Sequence, residues 1–441
     1  MNRYRGFPER RTSPPCAIIV AVYGAVPGLP AGTIPQETFM YINFWYPVIR
    51  SEDLANDKPE KVKMLGLNFV AFRDENGNAC VLSDTCVHRG GSLGGAWSAG
   101  NVPRIVNGCV VCPYHGWEFN GEGKCVNIPS IGYGKKPPAR AKVDAYPVQE
   151  KYGIVFAFLG DLPEEERPPL LNVEEYDDPK WRANSVLVLD VPYYYERSIE
   201  NGLDPAHNEF VHPTHGHQGM NREDYKVNPI ELDDHRQGWG SWFWHLFDAP
   251  PLPDASHETA KGQKTPWDDR KQERQIKVGG GTYGPNMMPT YINISPTETF
   301  RQYFFETPID ETHTRIFFLN MRNFMLDPSK DGPIHARNKV IAQQDIQIVE
   351  LLNPRRTPIS NTKEVLMPAD GPIAAYRDWL AQFDEKGWRI DWEEFQRRNG
   401  KDTAFAIPSP GRRQSGNWVL EAVPLLDSRA ARKRAADDKA A

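Results

Sequence analysis

The chain has 441 residues, of which 39% are hydrophobic and 25% are charged, and its formal net charge is −6. This length exceeds the usual size of a single domain, so we expect two domains. No basic stripe precedes the last few residues, which argues against a nucleic-acid partner. No apolar run reaches 18 residues, which argues against a membrane-spanning helix. We therefore expect a cytoplasmic protein.

The first 39 residues differ in composition from the rest of the chain. Arg-rich polar sequence is followed by a short apolar stretch, CAIIVAVYGAVPGLPAG, which Pro and Gly interrupt. The pair Arg10-Arg11 is compatible with an export signal, but Glu9 and the pair Pro14-Pro15 suit such a signal poorly. We expect a disordered extension over residues 1–39, with the folded protein beginning near Met40.

Two regions with different patterns follow. Residues 40–165 contain short β-type runs separated by Gly, Pro and Asn, such as RIVNGCVVC and YGIVFAFLGD, and this pattern predicts a small all-β domain. Residues 166–425 add strand-like segments and predict a sheet packed against a few helices, so the fold class is α+β. The helix-like segments lie around 196–212, 334–352 and 371–384. The Ala-rich, mixed-charge residues 426–441 are expected to be a disordered tail.

Two closely spaced pairs of Cys and His indicate a metal cluster. One residue separates Cys86 from His88, two separate Cys112 from His115, and 23 lie between the pairs. Thiolates hold ferric iron and imidazoles make a cluster easier to reduce, so this set suits a [2Fe–2S] cluster that accepts and passes on electrons. The alternatives are a structural Cys₂His₂ zinc site, or a C-x₂-C site at Cys109 and Cys112. The remaining cysteines are expected to be inert: Cys16, Cys80, Cys109 and Cys125.

A second metal site is indicated by the spacing D-x₂-H-x₄-H, formed by Asp204, His207 and His212. Histidines five residues apart lie about 140° from each other on an ideal helix. A regular helix would not bring them together, whereas a π-like turn or a helix end would. His215 and His217 crowd the same segment as alternative ligands, but the spacing favours the first pair.

Asp345 is the candidate carboxylate for this second site. In the predicted helix it shares one face with Ile341, Ile348, Val349 and Leu352. An ionised Asp on an apolar face is costly to bury and needs a cation, which is either a metal or a buried Arg or His. Two histidines and one carboxylate form the facial triad of non-haem iron enzymes. The fallback carboxylates are Glu350 and Asp310.

These motifs together resemble a known family. The segments CVHRGGSL and CPYHGWEF resemble the two ligand loops of Rieske domains, and the two-histidine motif followed by a helix with a lone Asp resembles the terminal oxygenase, or α subunit, of Rieske non-haem iron oxygenases. Segments such as FWYPV and YPVQEKYGIVFAFLGD are similar to the single-component group that includes carbazole dioxygenase, 2-oxoquinoline monooxygenase, vanillate demethylase and pheophorbide oxygenase. The resemblance covers residues 40–425.

The resemblance implies one [2Fe–2S] cluster and one mononuclear Fe²⁺, in a Rieske domain and a helix-grip-like catalytic domain with an antiparallel sheet. It also implies that Asp204 bridges a cluster histidine of a neighbouring subunit to an iron histidine, which requires a ring-shaped oligomer, expected to be a homotrimer. The alternative is that Asp204 caps a helix that begins at Pro205.

The implied activity is O₂-dependent hydroxylation or oxidative demethylation of an aromatic or other largely apolar small molecule. The sequence is interpreted as having no G-x-G-x-x-G dinucleotide fingerprint, so its electrons are expected from a ferredoxin, an NAD(P)H-dependent flavin reductase, or both. The alternatives are a Rieske electron-transfer protein without oxygenase activity and a zinc-stabilised binding module. The predicted pocket residues are Asn201, Phe210, Trp242, Trp244, Met287, Met288, Ile294 and Phe304.

Overall fold

The computed structural model describes residues 40–96, 104–212, 227–248, 275–358 and 360–428. The predicted disordered extension, most of the predicted tail, and His215 and His217 lie outside these ranges. Residues 37–441 belong to one compact unit. Within the described ranges, no helix has the length and apolar character needed to cross a membrane.

Small antiparallel sheets make up the N-terminal part of the described chain, as predicted. Its strands are β1 (Phe44–Arg50), β2 (Glu60–Met64), β3 (Leu67–Arg73), β4 (Ala79–Ser83), β5 (Ile105–Val106), β6 (Cys109–Val111), β7 (Glu118–Phe119), β8 (Cys125–Asn127), β9 (Ala145–Tyr146), β10 (Val148–Lys151) and β11 (Ile154–Leu159). They pair in the orders β1-β11-β10, β2-β3-β4-β9 and β5-β6-β7-β8.

Two tight hairpins in this part are explained by their turn residues. The loops Leu65-Gly66 and Tyr152-Gly153 join β2 to β3 and β10 to β11, and all four residues have positive φ. Two-residue turns of this kind match the right-handed twist of paired strands. A side chain at Gly66 would also collide with the ring of Trp392.

A large antiparallel sheet and several helices form the rest of the described chain, which confirms the α+β class. The elements are β12 (Arg182–Ala183), β13 (Leu187–Val191), α1 (Tyr195–Leu203), α2 (Asn208–Val211), β14 (Glu231–Asp234), β15 (Ser241–Asp248), β16 (Gln275–Gly281), β17 (Met287–Asn293), β18 (Thr299–Pro308), β19 (Thr314–Arg322), α3 (Asp331–Val349), α4 (Gly371–Glu385), α5 (Trp392–Arg398), β20 (Phe405–Ala406), α6 (Gly411–Gln414) and β21 (Glu421–Ala422). In the sheet, β12 and β13 pair with β19, and the order continues β18-β17-β16-β15-β14.

The helix α3 is fixed to the edge of this sheet by an ion-pair cluster at its first residue. Asp331 accepts hydrogen bonds from Arg182 of β12 and from Arg322 of β19, whose side chain is fully buried. An acidic residue in the first turn also interacts favourably with the helix dipole. These contacts set the position of α3, which then passes close to α1.

The C-terminal segment packs against the N-terminal sheets. Asp144, which is completely buried, accepts hydrogen bonds from the backbone and hydroxyl of Ser409 and from the guanidinium of Arg412. Tyr146 donates to the carbonyl of Ile407. No local pattern in the sequence predicts this long-range contact.

One glycine-rich segment matches a spacing that the sequence prediction treated as missing. Residues 279–284 read G-x-G-x-x-G, but they end β16 and lead into β17 of an antiparallel sheet. A dinucleotide fingerprint requires a turn from a strand into a helix, where the helix N-terminus receives the pyrophosphate. The segment therefore does not form a dinucleotide-binding turn.

Candidate metal centres and substrate cavity

The two Cys-His segments fold into matching loops. The backbone N–H of Cys86 donates to the carbonyl of Gly91, and that of Cys112 donates to the carbonyl of Trp117, both at 2.8 Å. The N–H groups of Gly90 and Gly116 donate back to the carbonyls of Cys86 and Cys112. Both Gly90 and Gly116 have φ of 73°, which residues with a Cβ rarely adopt. Each loop is therefore determined by its own local sequence.

The four predicted cluster ligands meet as two pairs at these loops. Cys86 and Cys112 are buried, and the hydrogen bond from the Cys86 thiol to Cys112 raises the pKa of Cys86 and lowers that of Cys112. His88 and His115 are exposed, with ring centroids 4.4 Å apart. Trp117 stacks on the His88 ring at 4.6 Å. Two inner thiols and two outer imidazoles fit a [2Fe–2S] cluster whose histidine-bound iron faces the surface.

The other described cysteines have the properties of unreactive thiols. Burial raises the pKa of Cys80 to about 11 and that of Cys125 to about 11, and it also raises the pKa of Cys109. These three cysteines lie in strands β4, β6 and β8, outside the two ligand loops, and each thiol donates to a backbone carbonyl.

The second motif brings its two histidines together because the helix ends before the motif and the histidines flank a separate short turn. Helix α1 stops at Leu203, Asp204 is extended, and α2 is a single turn that His207 precedes and His212 follows. The two imidazole centroids are 5.2 Å apart. The helix end thus provides the convergence that a continuous helix would prevent.

Asp345 of α3 meets both histidines. Its Oδ1 lies 3.1 Å from Nε2 of His212 and 3.6 Å from Nε2 of His207. The ligand atoms of these three residues lie within 4.8 Å of one another, and they are the one such group found in the described ranges. The fallback carboxylates lie elsewhere, since Asp310 pairs with Lys63 and Glu350 is exposed.

The prediction of which residues form the inward face of α3 was partly wrong. Val349 is buried and Ile341 borders the cavity described below, but Ile348 is 49% exposed and Leu352, beyond the helix end, is 39% exposed. The inward face instead follows Ile334, Asn338, Asp345 and Val349. The spacing of apolar residues did not identify the inward face, because this helix carries apolar residues on its outer face as well.

Hydrogen bonds orient both imidazoles towards Asp345. The Nδ1–H of His207 donates to the carbonyl of Asp204 at 2.5 Å, and the Nδ1–H of His212 donates to Oε1 of Gln344 at 2.9 Å. Each Nε2 is then left with a lone pair, which is the arrangement that metal-binding histidines use. Burial lowers the pKa of His207, which also favours the neutral form. The sequence analysis did not identify Gln344 as a partner of His212, although its position next to Asp345 indicated that it could lie near the site.

An apolar cavity of about 220 Å³ opens beside these three residues. The strands contribute alternate residues to its wall, as the two-residue period of a strand requires. On β18, for example, Phe300, Gln302, Phe304 and Glu306 all face the cavity. For comparison, an engineered protein cavity of about 150 Å³ binds benzene. A substituted benzene therefore fits in this space.

Family comparisons agree with the two metal sites. The model of the Rieske [2Fe-2S] domain matches residues 44–147, and the model of the vanillate O-demethylase oxygenase C-terminal domain matches residues 192–386. The chain belongs to the Rieske non-haem iron oxygenases. The predicted cluster ligands lie within the first match, and His207, His212 and Asp345 lie within the second.

Two curated relatives of this Rieske oxygenase are similar over part of their length. Chlorophyllide a oxygenase of Chlamydomonas reinhardtii is 37% identical over 171 residues, which cover 38% of this chain and 24% of that protein. Phenoxybenzoate dioxygenase subunit alpha of Ectopseudomonas oleovorans is 30% identical over 313 residues, which cover 67% of this chain and 66% of that protein. The alignments thus leave a third or more of each relative unmatched.

A solved structure shares the fold. The structure of Pseudomonas putida CBB5 NdmA with caffeine matches with a TM-score of 0.62 at 22% identity, covering 78% of this chain and 92% of that chain. At this level of identity the match establishes the architecture of the Rieske oxygenase and leaves its substrate to other arguments.

Asp204 does not cap a helix that begins at Pro205, because α2 begins at Asn208. Its carboxylate instead accepts a hydrogen bond of 2.7 Å from the N–H of Ala206 and closes the turn between α1 and α2. Burial raises the pKa of Asp204. In the same segment Asn201 donates to Oδ1 of Asp345 at 3.0 Å, which ties α1 to α3.

Half of the predicted pocket residues line the cavity of the Rieske oxygenase. Those that line it are Asn201, Met288, Ile294 and Phe304. The prediction is wrong for Phe210, Trp242, Trp244 and Met287. Phe210 is exposed, and the other three lie on the opposite faces of β15 and β17.

The strand β15 shows how this error arose. Its alternate residues Phe243 and His245 border the cavity, while Trp242 and Trp244 pack beside Tyr291 on the other side. Burial lowers the pKa of His245 to about 4, so this imidazole is neutral. The sequence does not give the register of the sheet, so the prediction assigned the large aromatic residues Trp242 and Trp244 to the cavity wall in place of their neighbours.

Proposed function

We propose that this chain is the terminal oxygenase of a Rieske system, which uses O₂ and externally supplied electrons to hydroxylate or oxidatively demethylate an aromatic or other largely apolar molecule. The observation that carries the proposal is the meeting of His207, His212 and Asp345 at the wall of an apolar cavity. A simple electron carrier has no need of such a site next to a cavity.

His207, His212 and Asp345 would hold the mononuclear Fe²⁺, and the donor set fits this ion. Two neutral nitrogen donors and one carboxylate supply three ligands on one side, which leaves positions for O₂ and for substrate-linked chemistry. Asp204 and Gln344 keep the Nδ1 protons of the two imidazoles in place. The apolar walls hold the substrate and exclude water.

Cys86, His88, Cys112 and His115 would hold the cluster, within a Rieske domain that we place at residues 40–165, ahead of a catalytic domain at residues 166–425. Rieske oxygenases generally receive electrons from a reductase or a ferredoxin. We propose that the donor of these electrons is a ferredoxin, an NAD(P)H-dependent flavin reductase, or both. We further propose a cytoplasmic homotrimer in which Asp204 lies between the cluster of one subunit and the iron of the next.

The proposal is tested by separating the two metal sites in the purified protein. We expect the wild type to contain cluster iron and a further ferrous ion that binds nitric oxide, and to show O₂ uptake stimulated by a panel of aromatic, N-methyl and O-methyl compounds. Asp345→Ala should retain the cluster spectrum and lose both the ferrous signal and the uptake, because two neutral ligands hold Fe²⁺ poorly.

Gln343→Ala is the matched control, because Gln343 lies on the same helix but is exposed. It should retain both metals and turnover. A wild-type protein with a cluster and no ferrous site would identify an electron-transfer protein. A zinc-containing, colourless protein would identify a binding module.

A further inference from the structure

Glu306 is a buried carboxyl group in the wall of the cavity. It lies on the same face of β18 as Phe304, and its side chain is 1% exposed. Its backbone is fixed by Asn286, which accepts from the Glu306 N–H and donates to the Glu306 carbonyl, both at 2.8 Å. The carboxyl group therefore has little freedom to turn away from the cavity.

Only one oxygen of this carboxyl group has a partner among the described residues. The hydroxyl of Ser198 donates to Oε1 at 2.7 Å, whereas Oε2 is buried without a hydrogen bond. No described basic side chain forms an ion pair with Glu306, although Arg337 also borders the cavity. A buried polar atom without a partner costs about 1–3 kcal/mol, so its presence requires an explanation.

We infer that Glu306 is a specificity-determining residue that, in its neutral form, donates a hydrogen bond from Oε2–H to an acceptor on the substrate. The substrate class that fits is a neutral, largely apolar molecule with one carbonyl-type oxygen. This inference rests on the proposed oxygenase function, because it takes the cavity to be the place where the substrate binds.

The surroundings of Glu306 favour a neutral acceptor over an ionic ligand. Burial raises the pKa of Glu306 to about 8, so the group carries its proton at neutral pH. A carboxylate ligand has no described cation beside Glu306 and would be repelled once Glu306 ionises. A cationic ligand would require a buried ion pair, whose desolvation cost offsets its attraction. The neighbouring lining residues Phe304, Ile316 and Phe318 suit an aromatic or aliphatic body.

Binding of four matched probes to the iron-loaded protein, measured by anaerobic calorimetry, tests the inference. The probes are 4-methoxyacetophenone, 4-ethylanisole, 4-methoxybenzoate and 4-methoxybenzylammonium. We expect the ketone to bind most tightly. Glu306→Leu should weaken ketone binding about tenfold, the upper end of the effect of one hydrogen bond, and should leave 4-ethylanisole binding within about twofold. Glu306→Gln, which keeps a donor, should restore most of the ketone affinity.

A pH series keeps the test decisive if Glu306→Leu does not fold. Ketone affinity of the wild type should fall as pH rises from 7 to 9.5, because ionisation removes the donor, while that of Glu306→Gln should stay flat. Both proteins retain the other titratable groups at the cavity, which are Tyr193, Asp204, His207, His212, His245, Arg337 and Asp345.

Four results would overturn the inference: no ketone binding, tighter binding of the benzoate or the ammonium probe, an unchanged ketone affinity in Glu306→Leu, or the same pH dependence in Glu306→Gln. Formaldehyde released from the methoxy group reports oxygenase activity separately. Tight ketone binding without O₂-dependent turnover would contradict the proposed function and leave the role of Glu306 in binding intact.

Discussion

The two candidate metal centres of this chain are built in different ways. The cluster loops are local: each binds its own backbone through the same pair of hydrogen bonds, and each supplies one Cys and one His. The triad is assembled over distance, since Asp345 reaches His207 and His212 only because α3 is attached to the sheet through Asp331. Local sequence therefore specifies the first centre almost completely, whereas the second depends on how distant elements pack.

The sharpest test of the local centre compares two neighbouring cysteines. Cys112→Ser should lose the cluster entirely, because its sulfur belongs to a ligand loop, while Cys109→Ser should keep it, because Cys109 lies in strand β6 outside that loop. Visible absorption and iron content measure both outcomes. A colourless Cys109→Ser beside a coloured Cys112→Ser would reverse the ligand assignment.

The link between the centres is tested at Asp204. Asp204→Asn should bind both metals, since an amide oxygen can still accept from the Ala206 N–H, but turnover should fall about 10-fold to 100-fold if the carboxylate couples the two sites. Metal analysis and steady-state O₂ uptake distinguish the roles. Full activity in this variant would show that the carboxylate only closes the turn.

The long-range centre is also sensitive to its supporting hydrogen bonds. Gln344→Leu removes the acceptor that orients His212, so Fe²⁺ affinity should fall by about 10-fold to 100-fold with the cluster unaffected. Gln343→Leu, at an exposed position on the same helix, is the control. Iron titration monitored by the ferrous signal gives the dissociation constants. Equal values in both variants would show that His212 is held by other contacts.

A separate effect is expected on stability, at Glu306. Its pKa is raised from 4.5 to about 8, so the folded protein retains a proton that the unfolded chain releases between these values. The stability of the wild type relative to Glu306→Gln should therefore decrease as pH rises from 4.5 to 8, by an amount on the order of several kcal/mol at about 1.4 kcal/mol per pKa unit. Denaturant unfolding at pH 5.5, 7 and 8.5 measures the difference. A constant difference across this range would show that Glu306 is already ionised.

The sequence by itself determined the features that depend on short spacing. The Cys-His pairs, the helix end that lets His207 and His212 converge, and the small β-type runs each follow from residues close together in the chain, because backbone turns and strand periods are local properties. The identity of Asp345 also followed, since an acid in a helix with few other inward charges needs a cation.

Tertiary structure decided which faces look inward. Half of the predicted pocket residues were on the wrong side, because a strand presents alternate residues to opposite faces and its register is set by its neighbours. Gln344 and Glu306 gained their roles only when α3 met α2 and β18 met α1. Contacts between residues far apart in the sequence leave no local pattern. Only the packed structure therefore shows that Gln344 orients His212 and that Glu306 lies in the wall of the proposed substrate cavity.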